Sequence, residues 1–128
     1  MLRELNLKFT RELTDSLTIQ KISSKGILID NELWPEVIAL TTQEIIENWP
    51  NIDVSELTKD HFSNLLEHKP EIILVGTGEK SKLIPRELMF EFARIGVGLE
   101  FMSTAAAART FNVLAGEGRL VAAALYPI

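Results

Sequence analysis

Four consecutive apolar residues, Ile72-Ile73-Leu74-Val75, stand between Pro70 and Gly76-Thr77-Gly78 in a chain of 128 residues. A short run with no polar residue in it fits a strand covered on both faces, so layers must pack above and below it. The flanking pattern supplies them. Asp53 or Ser55 is placed to cap a helix through about Glu67, with Leu57, Phe62, Leu65 and Leu66 at near-helical spacing and Pro70 beyond its end. After the strand, Pro85 suits the first turn of a helix running to about Arg94. Its expected buried stripe is Leu88, Met89, Phe92 and Ile95, and Gly96 ends it. Val97–Met102 reads as the next strand. An Ala-rich helix then runs from Ser103 or Thr104 to about Ala115, and Gly116-Glu117-Gly118 breaks the chain before a last strand, Arg119–Tyr126.

The first fifty residues read differently. Leu5–Phe9 is an edge-strand candidate. Leu17–Ile22 and Ile27–Ile29 flank the turn-rich Ser23-Ser24-Lys25-Gly26, which predicts a hairpin. Asp30-Asn31 is a second turn signal, and Val37–Leu40 is a third expected strand. Trp34-Pro35 and Trp49-Pro50 punctuate this half, since a residue preceding proline is pushed out of helical geometry. The expectation is an α/β protein: one domain over residues 1–128, with a β-rich half over about 1–50 and an α/β half over about 51–128. Helices pack on a sheet, and N-terminal hairpins add antiparallel strands.

Composition excludes several kinds of chemistry. Cysteine is absent, which removes disulfides, thiolate nucleophiles and Cys-based zinc sites. Two histidines, His61 and His68, have no obvious companions for a metal, so no metal and no cofactor is expected. Residues 1–70 carry 7 basic and 12 acidic residues, and residues 71–128 carry 6 of each, so the net charge of −5 lies wholly in the first half. No basic stripe is visible, which argues against nucleic acid. No apolar run reaches the roughly 18 residues of a membrane span. Met1-Leu2-Arg3-Glu4 opens neither a signal peptide nor a transit sequence, and a cytoplasmic address is expected.

Two loops are candidates for a site. Gly76-Thr77-Gly78 follows one strand, and Ser103-Thr104 follows another and opens a helix. If the two strands are parallel, both loops lie at the carboxyl edge of the sheet, where open α/β sheets bind ligands. Glycines admit a close anion, and a helix N-terminus offers unpaired N–H groups. Arg109 would add a planar fork of donors, and Asn112, three residues on, shares its helix face. Each part also has a plainer explanation. Gly-Thr-Gly makes a tight turn, Ser103 caps a helix, Arg109 pairs with Glu100 or Glu117, and Asn112 bonds backbone. Lys80, Lys82 and Arg86 fit a solvated loop, and Glu87 and Glu91 an exposed helical face. No serine sits in a nucleophile-elbow context and Asp60-His61 is no triad, so the balance leans away from an enzyme without closing the question.

Four segments carry a family resemblance. They are Pro70–Gly78, Gly96-Val97-Gly98-Leu99-Glu100, Thr104-Ala105-Ala106-Ala107-Ala108-Arg109-Thr110-Phe111-Asn112-Val113-Leu114, and Glu117–Pro127. Together they resemble domain-of-unknown-function family 498, which includes mitochondrial complex I (NADH:ubiquinone oxidoreductase) assembly factor 3. The resemblance covers about residues 15–127. It implies a three-layer fold with a central mixed sheet of about five strands, one of them antiparallel to the rest, and an additional β layer beside it. It implies no catalytic activity or cofactor, and it makes a protein partner the expected ligand. Phe111 stands where the family commonly has tyrosine, and Ala108 where cysteine is frequent.

Two functions follow as expectations. The first is a non-catalytic binding or assembly-factor-like domain. The alternative is a small-ligand or anion-binding protein, or an enzyme, using Gly76, Thr77, Gly78, Ser103, Thr104, Arg109 and Asn112. Neither the partner nor the oligomeric state is legible.

Overall fold

The computed structural model describes residues 16–128, so the Leu5–Phe9 strand candidate lies outside the described residues. Among the described residues, eight strands form two sheets. The smaller is an antiparallel meander of β1 (Ile19–Ser23), β2 (Gly26–Ile29) and β3 (Glu32–Trp34). The larger contains β4 (Ile38–Thr41), β5 (Ile45–Ile46), β6 (Ile72–Gly76), β7 (Gly98–Met102) and β8 (Val121–Leu125), in the spatial order β5-β4-β8-β6-β7. Strand β6 pairs in parallel with both β7 and β8, whereas β4 is antiparallel to β8 and to β5. One strand of five therefore runs against the rest, as the family resemblance implies.

The helical elements are two 3-10 turns (Val54–Glu56 and Lys59–Phe62) and three α-helices, α1 (Ser63–Leu66), α2 (Arg86–Ile95) and α3 (Thr104–Gly116). Helix α3 and the small sheet cover one face of the large sheet, and α2 with the 3-10 turns covers the other. The strands explain why. Leu74, Ala123, Leu125, Ile38 and Leu40 point into the layer with Phe111 and Ile27, while Ile73, Val75, Ala122, Ala124 and Ala39 point into the layer with Phe62 and Phe92. Successive strand residues alternate in direction, so a strand packed on both sides must be apolar at every position. Each fully buried Leu, Ile or Phe contributes about 1.5–3 kcal/mol. The alanines of β8 and α3 let helix and sheet approach closely.

Several sequence expectations are corrected. Asp30 and Asn31 both adopt positive φ (45° and 69°), which turns the chain directly into β3, a strand too short to show periodicity. The third expected strand near Val37–Leu40 exists as β4 but belongs to the large sheet, not to the hairpin layer. The expected helix from Asp53 to Glu67 is broken. Leu57 is extended (φ −66°, ψ 137°), and Thr58 and His61 start a fresh turn by reciprocal capping, so two 3-10 turns precede one turn of α-helix. The buried stripe of α2 is narrower than predicted. Leu88 and Phe92 are buried, but Met89 and Ile95 are exposed, and α2 contacts the large sheet at its rim strand β7; Phe90, on the face opposite Leu88 and Phe92, is exposed as well.

Gly76 sets the distance between β6 and α3. A Cβ there would stand 2.8 Å from the Thr104 Cα. Gly76→Val is expected to destabilise the fold by about 1–3 kcal/mol through overpacking, read as a lower midpoint in urea denaturation. An unchanged midpoint would mean that α3 shifts freely.

Candidate functional site

The parallel pairing of β6 with β7 brings Gly76-Thr77-Gly78 and Ser103-Thr104 to the same edge of the sheet, as the sequence reading required. Thr104 is fully buried and its hydroxyl is saturated. Its Oγ1 accepts the Gly78 N–H at 2.8 Å and donates to the Tyr126 carbonyl at 2.6 Å. The Thr104 N–H donates to the Gly78 carbonyl at 2.8 Å, and the Tyr126 N–H to the Gly76 carbonyl at 2.8 Å. The Thr77 hydroxyl donates to the Lys80 carbonyl at 2.6 Å, with the Met102 carbonyl at 3.1 Å, and the Thr77 N–H meets that same Met102 carbonyl at 2.8 Å. Ser103 caps α3 by accepting the Ala106 N–H at 3.2 Å. The Thr77, Gly78, Thr104 and Ala106 N–H groups and the Thr77 and Thr104 hydroxyls are thus engaged with protein.

Arg109 and Asn112 lie further along α3 and do different things. Arg109 is exposed, and neither Glu100 nor Glu117 is within ion-pair distance. Asn112 turns to the small sheet. Its Oδ1 accepts the Ile19 N–H at 3.0 Å and its Nδ2 donates to the Ile19 carbonyl at 2.8 Å. A side-chain amide thereby substitutes for a neighbouring strand along β1 and fastens the two layers together. The structure joins five of the seven predicted residues at one edge and assigns Asn112 to a clamp.

Two cavities stand elsewhere, and none of the seven residues lines either. An open groove of about 660 Å³ runs between Ser55–Asp60 and the N-terminal half of α2, floored by Leu57 and Leu88. A pocket of about 90 Å³ is lined by Thr41, Thr42, Gln43, His68, Pro70, Leu120 and Val121. Among the described residues no three His, Asp or Glu side chains come together as metal ligands. One feature beside the predicted edge escaped the sequence reading. The Tyr126 hydroxyl accepts the Trp49 indole N–H at 3.2 Å, and Trp49 stacks edge-on against Phe62. Burial raises the phenol above its ordinary value of 10.0, although the indole N–H opposes the shift.

Comparison with known proteins follows from this geometry. The family described as "Protein of unknown function (DUF498/DUF598)" matches residues 19–126, which is every element from β1 to β8. The chain belongs to this family. Human "NADH dehydrogenase [ubiquinone] 1 alpha subcomplex assembly factor 3" is 31% identical over 119 residues, which cover 91% of this chain and 64% of the human protein. The chain thus spans less than two thirds of that relative. The "13 kDa major membrane protein" of Francisella tularensis is 36% identical over 85 residues, 66% of this chain and 69% of that protein. A crystal structure of a Bordetella parapertussis protein superposes with a TM-score of 0.82 at 32% identity, covering 90% of this chain and 98% of that one. These relatives fix the α/β architecture and the family. No described helix of this chain is long and apolar enough to cross a membrane.

Two predictions follow from the side chains. Asn112→Ala leaves both Ile19 groups without their partner and is expected to cost about 1–3 kcal/mol, with faster amide exchange concentrated in β1. Uniform exchange across both layers would refute the clamp. For Tyr126, a folded pKa above the unfolded one means that the fold favours the neutral phenol. That stability is fully present below the unfolded value near 10 and is lost as pH rises through the folded value. Denaturation midpoints should fall above pH ~10, and Tyr126→Phe should abolish that part of the fall.

Proposed function

We propose that this chain is a non-catalytic binding domain that holds a protein partner during assembly of a larger complex. The observation that supports it is the 31% identity to a human protein named as an assembly factor, extending over 91% of this chain. The state of the sheet edge agrees. The Thr77 and Thr104 hydroxyls are committed to backbone partners, and Asn112 to Ile19, so the small-ligand or anion alternative across Gly76–Gly78, Ser103, Thr104, Arg109 and Asn112 keeps Arg109 as its side-chain cation but not those groups. Folded surface is then what remains for recognition. The net charge of −5 favours a basic partner through electrostatic steering.

A cytoplasmic address belongs to the same reading, although the Francisella relative carries a membrane name. Tagged chain purified at native expression from fractionated cells tests both points. A stoichiometric protein partner in the soluble fraction is expected, and recovery of the chain alone counts against the reading. A thermal-shift screen with phosphorylated metabolites and carboxylates covers the alternative. No shift is expected, and a shift abolished by Arg109→Ala would revive the small-ligand site.

A further inference from the structure

The two edges of the large sheet are unequal. Strand β5 at one edge is two residues long, whereas β7 at the other is five. Long exposed edges are rare in folded proteins because their free N–H and C=O groups accept another strand. Hydrogen bonding shows which way the peptide groups of β7 turn. The Gly98 N–H donates to the Glu71 carbonyl at 3.0 Å and the Met102 carbonyl accepts from Thr77 at 2.8 Å, so Gly98, Glu100 and Met102 turn their peptide groups toward β6. Alternation then directs the N–H and C=O of Leu99 and Phe101 outward. Those two side chains pack in the α2 layer.

The helix above this edge is unfinished in the same direction. Glu87 and Glu91 of α2 face the 3-10 turns across the open groove. Met89 lies on the opposite flank of the helix, about 160–200° from those two glutamates at about 100° per residue, and is 48% exposed. Among the described residues, a strand without an outer partner and an exposed apolar side chain, Met89, thus share one rim.

The charge on β7 decides what fits. Glu100 is exposed and is the only charged residue in the strand. In an antiparallel pair of two copies, the register that uses all four outward groups sets Leu99 against Phe101 of the other copy. It therefore sets Glu100 directly against its own equivalent. Like charges in that position repel, which discourages a second copy. A cation there is attracted instead.

Resting on the partner-binding reading, we propose that the β7 edge is the docking surface. It takes an extended segment of a basic partner as a sixth strand, with a Lys or Arg opposite Glu100 and apolar side chains over Met89. Backbone pairing supplies the affinity and Glu100 the selection.

The test uses the full chain and a short extended peptide of alternating valine and threonine with a central lysine, compared with its glutamate twin. The lysine peptide should slow amide exchange at Leu99 and Phe101 and bind about tenfold more tightly than the twin. Glu100→Lys should invert that preference. Unchanged exchange at both amides, or a preference that survives the charge reversal, overturns the proposal. So does protection of these amides in the free chain, which would mean that a second copy or residues 1–15 already cover the edge; sedimentation separates those two cases. In the native-expression purification, Glu100→Lys should lose the partner. If it keeps the partner that wild type recovers, the surface is wrong and the partner reading stands. If wild type recovers none, the partner reading itself falls.

Discussion

The Thr104 hydroxyl fastens together the ends of the three parallel strands. It lies at the start of the helix that follows β7, accepts from the residue after the β6 turn, and donates to the residue just past β8. It is fully buried, where an unmade hydrogen bond costs about 1–3 kcal/mol. Its position requires a helix entering almost in contact with β6, which only glycine at residue 76 permits. The small residues of α3 and β8 follow from the same constraint. Ala107, Ala108 and Phe111 of α3 share one buried layer with Ala123 of β8.

That packing explains the second β layer. Helix α3 is one element wide and cannot cover a five-stranded sheet. Helix α3 packs on β6 and β8, and Ile19, Ile27 and Ile29 of the small sheet join the same apolar layer as Ile38 and Leu40 of β4. A meander laid beside a helix has an edge that faces no strand. Asn112 resolves this by presenting an amide to Ile19 with the donor and acceptor spacing of a peptide group. The small sheet is consequently bound to α3 by a directional contact as well as by apolar area.

What was legible in the sequence follows from how local each signal is. The run Ile72–Val75, Pro85 before α2 and Ser103 before α3 are statements about a few adjacent residues, and each marks its element correctly. The parallel alternation of strands and helices then brought Gly76–Gly78 and Ser103-Thr104 to one edge. Strands β3 and β5 were missed because three and two residues carry no period. The Asp30-Asn31 pair did carry the signal for β3, since adjacent residues that tolerate positive φ favour a tight hairpin. The segment from Asp53 to Glu67 misled because 3-10 turns and an α-helix space their apolar residues alike over one turn. Asn112 has no local signature at all. Its partner is 93 residues away, and nothing near it in sequence distinguishes an interlayer clamp from a surface amide.

The same contrast bears on function. Open α/β sheets generally bind ligands where strand ends splay and leave loop N–H groups free. In this chain the Thr77 and Thr104 hydroxyls at that edge are tied to backbone groups of the fold. Recognition under the partner-binding reading then moves from the ends of the strands to their flank. Among the described residues, no strand pairs with the outer side of β7. Strand β7 is held in place by β6 on its inner side and overlain by α2, so its outer side is rigid before any partner arrives. Pre-ordering of this kind reduces the entropic cost of adding a strand. Selectivity falls to whatever breaks the uniformity of the backbone, and in β7 that is the single carboxylate of Glu100.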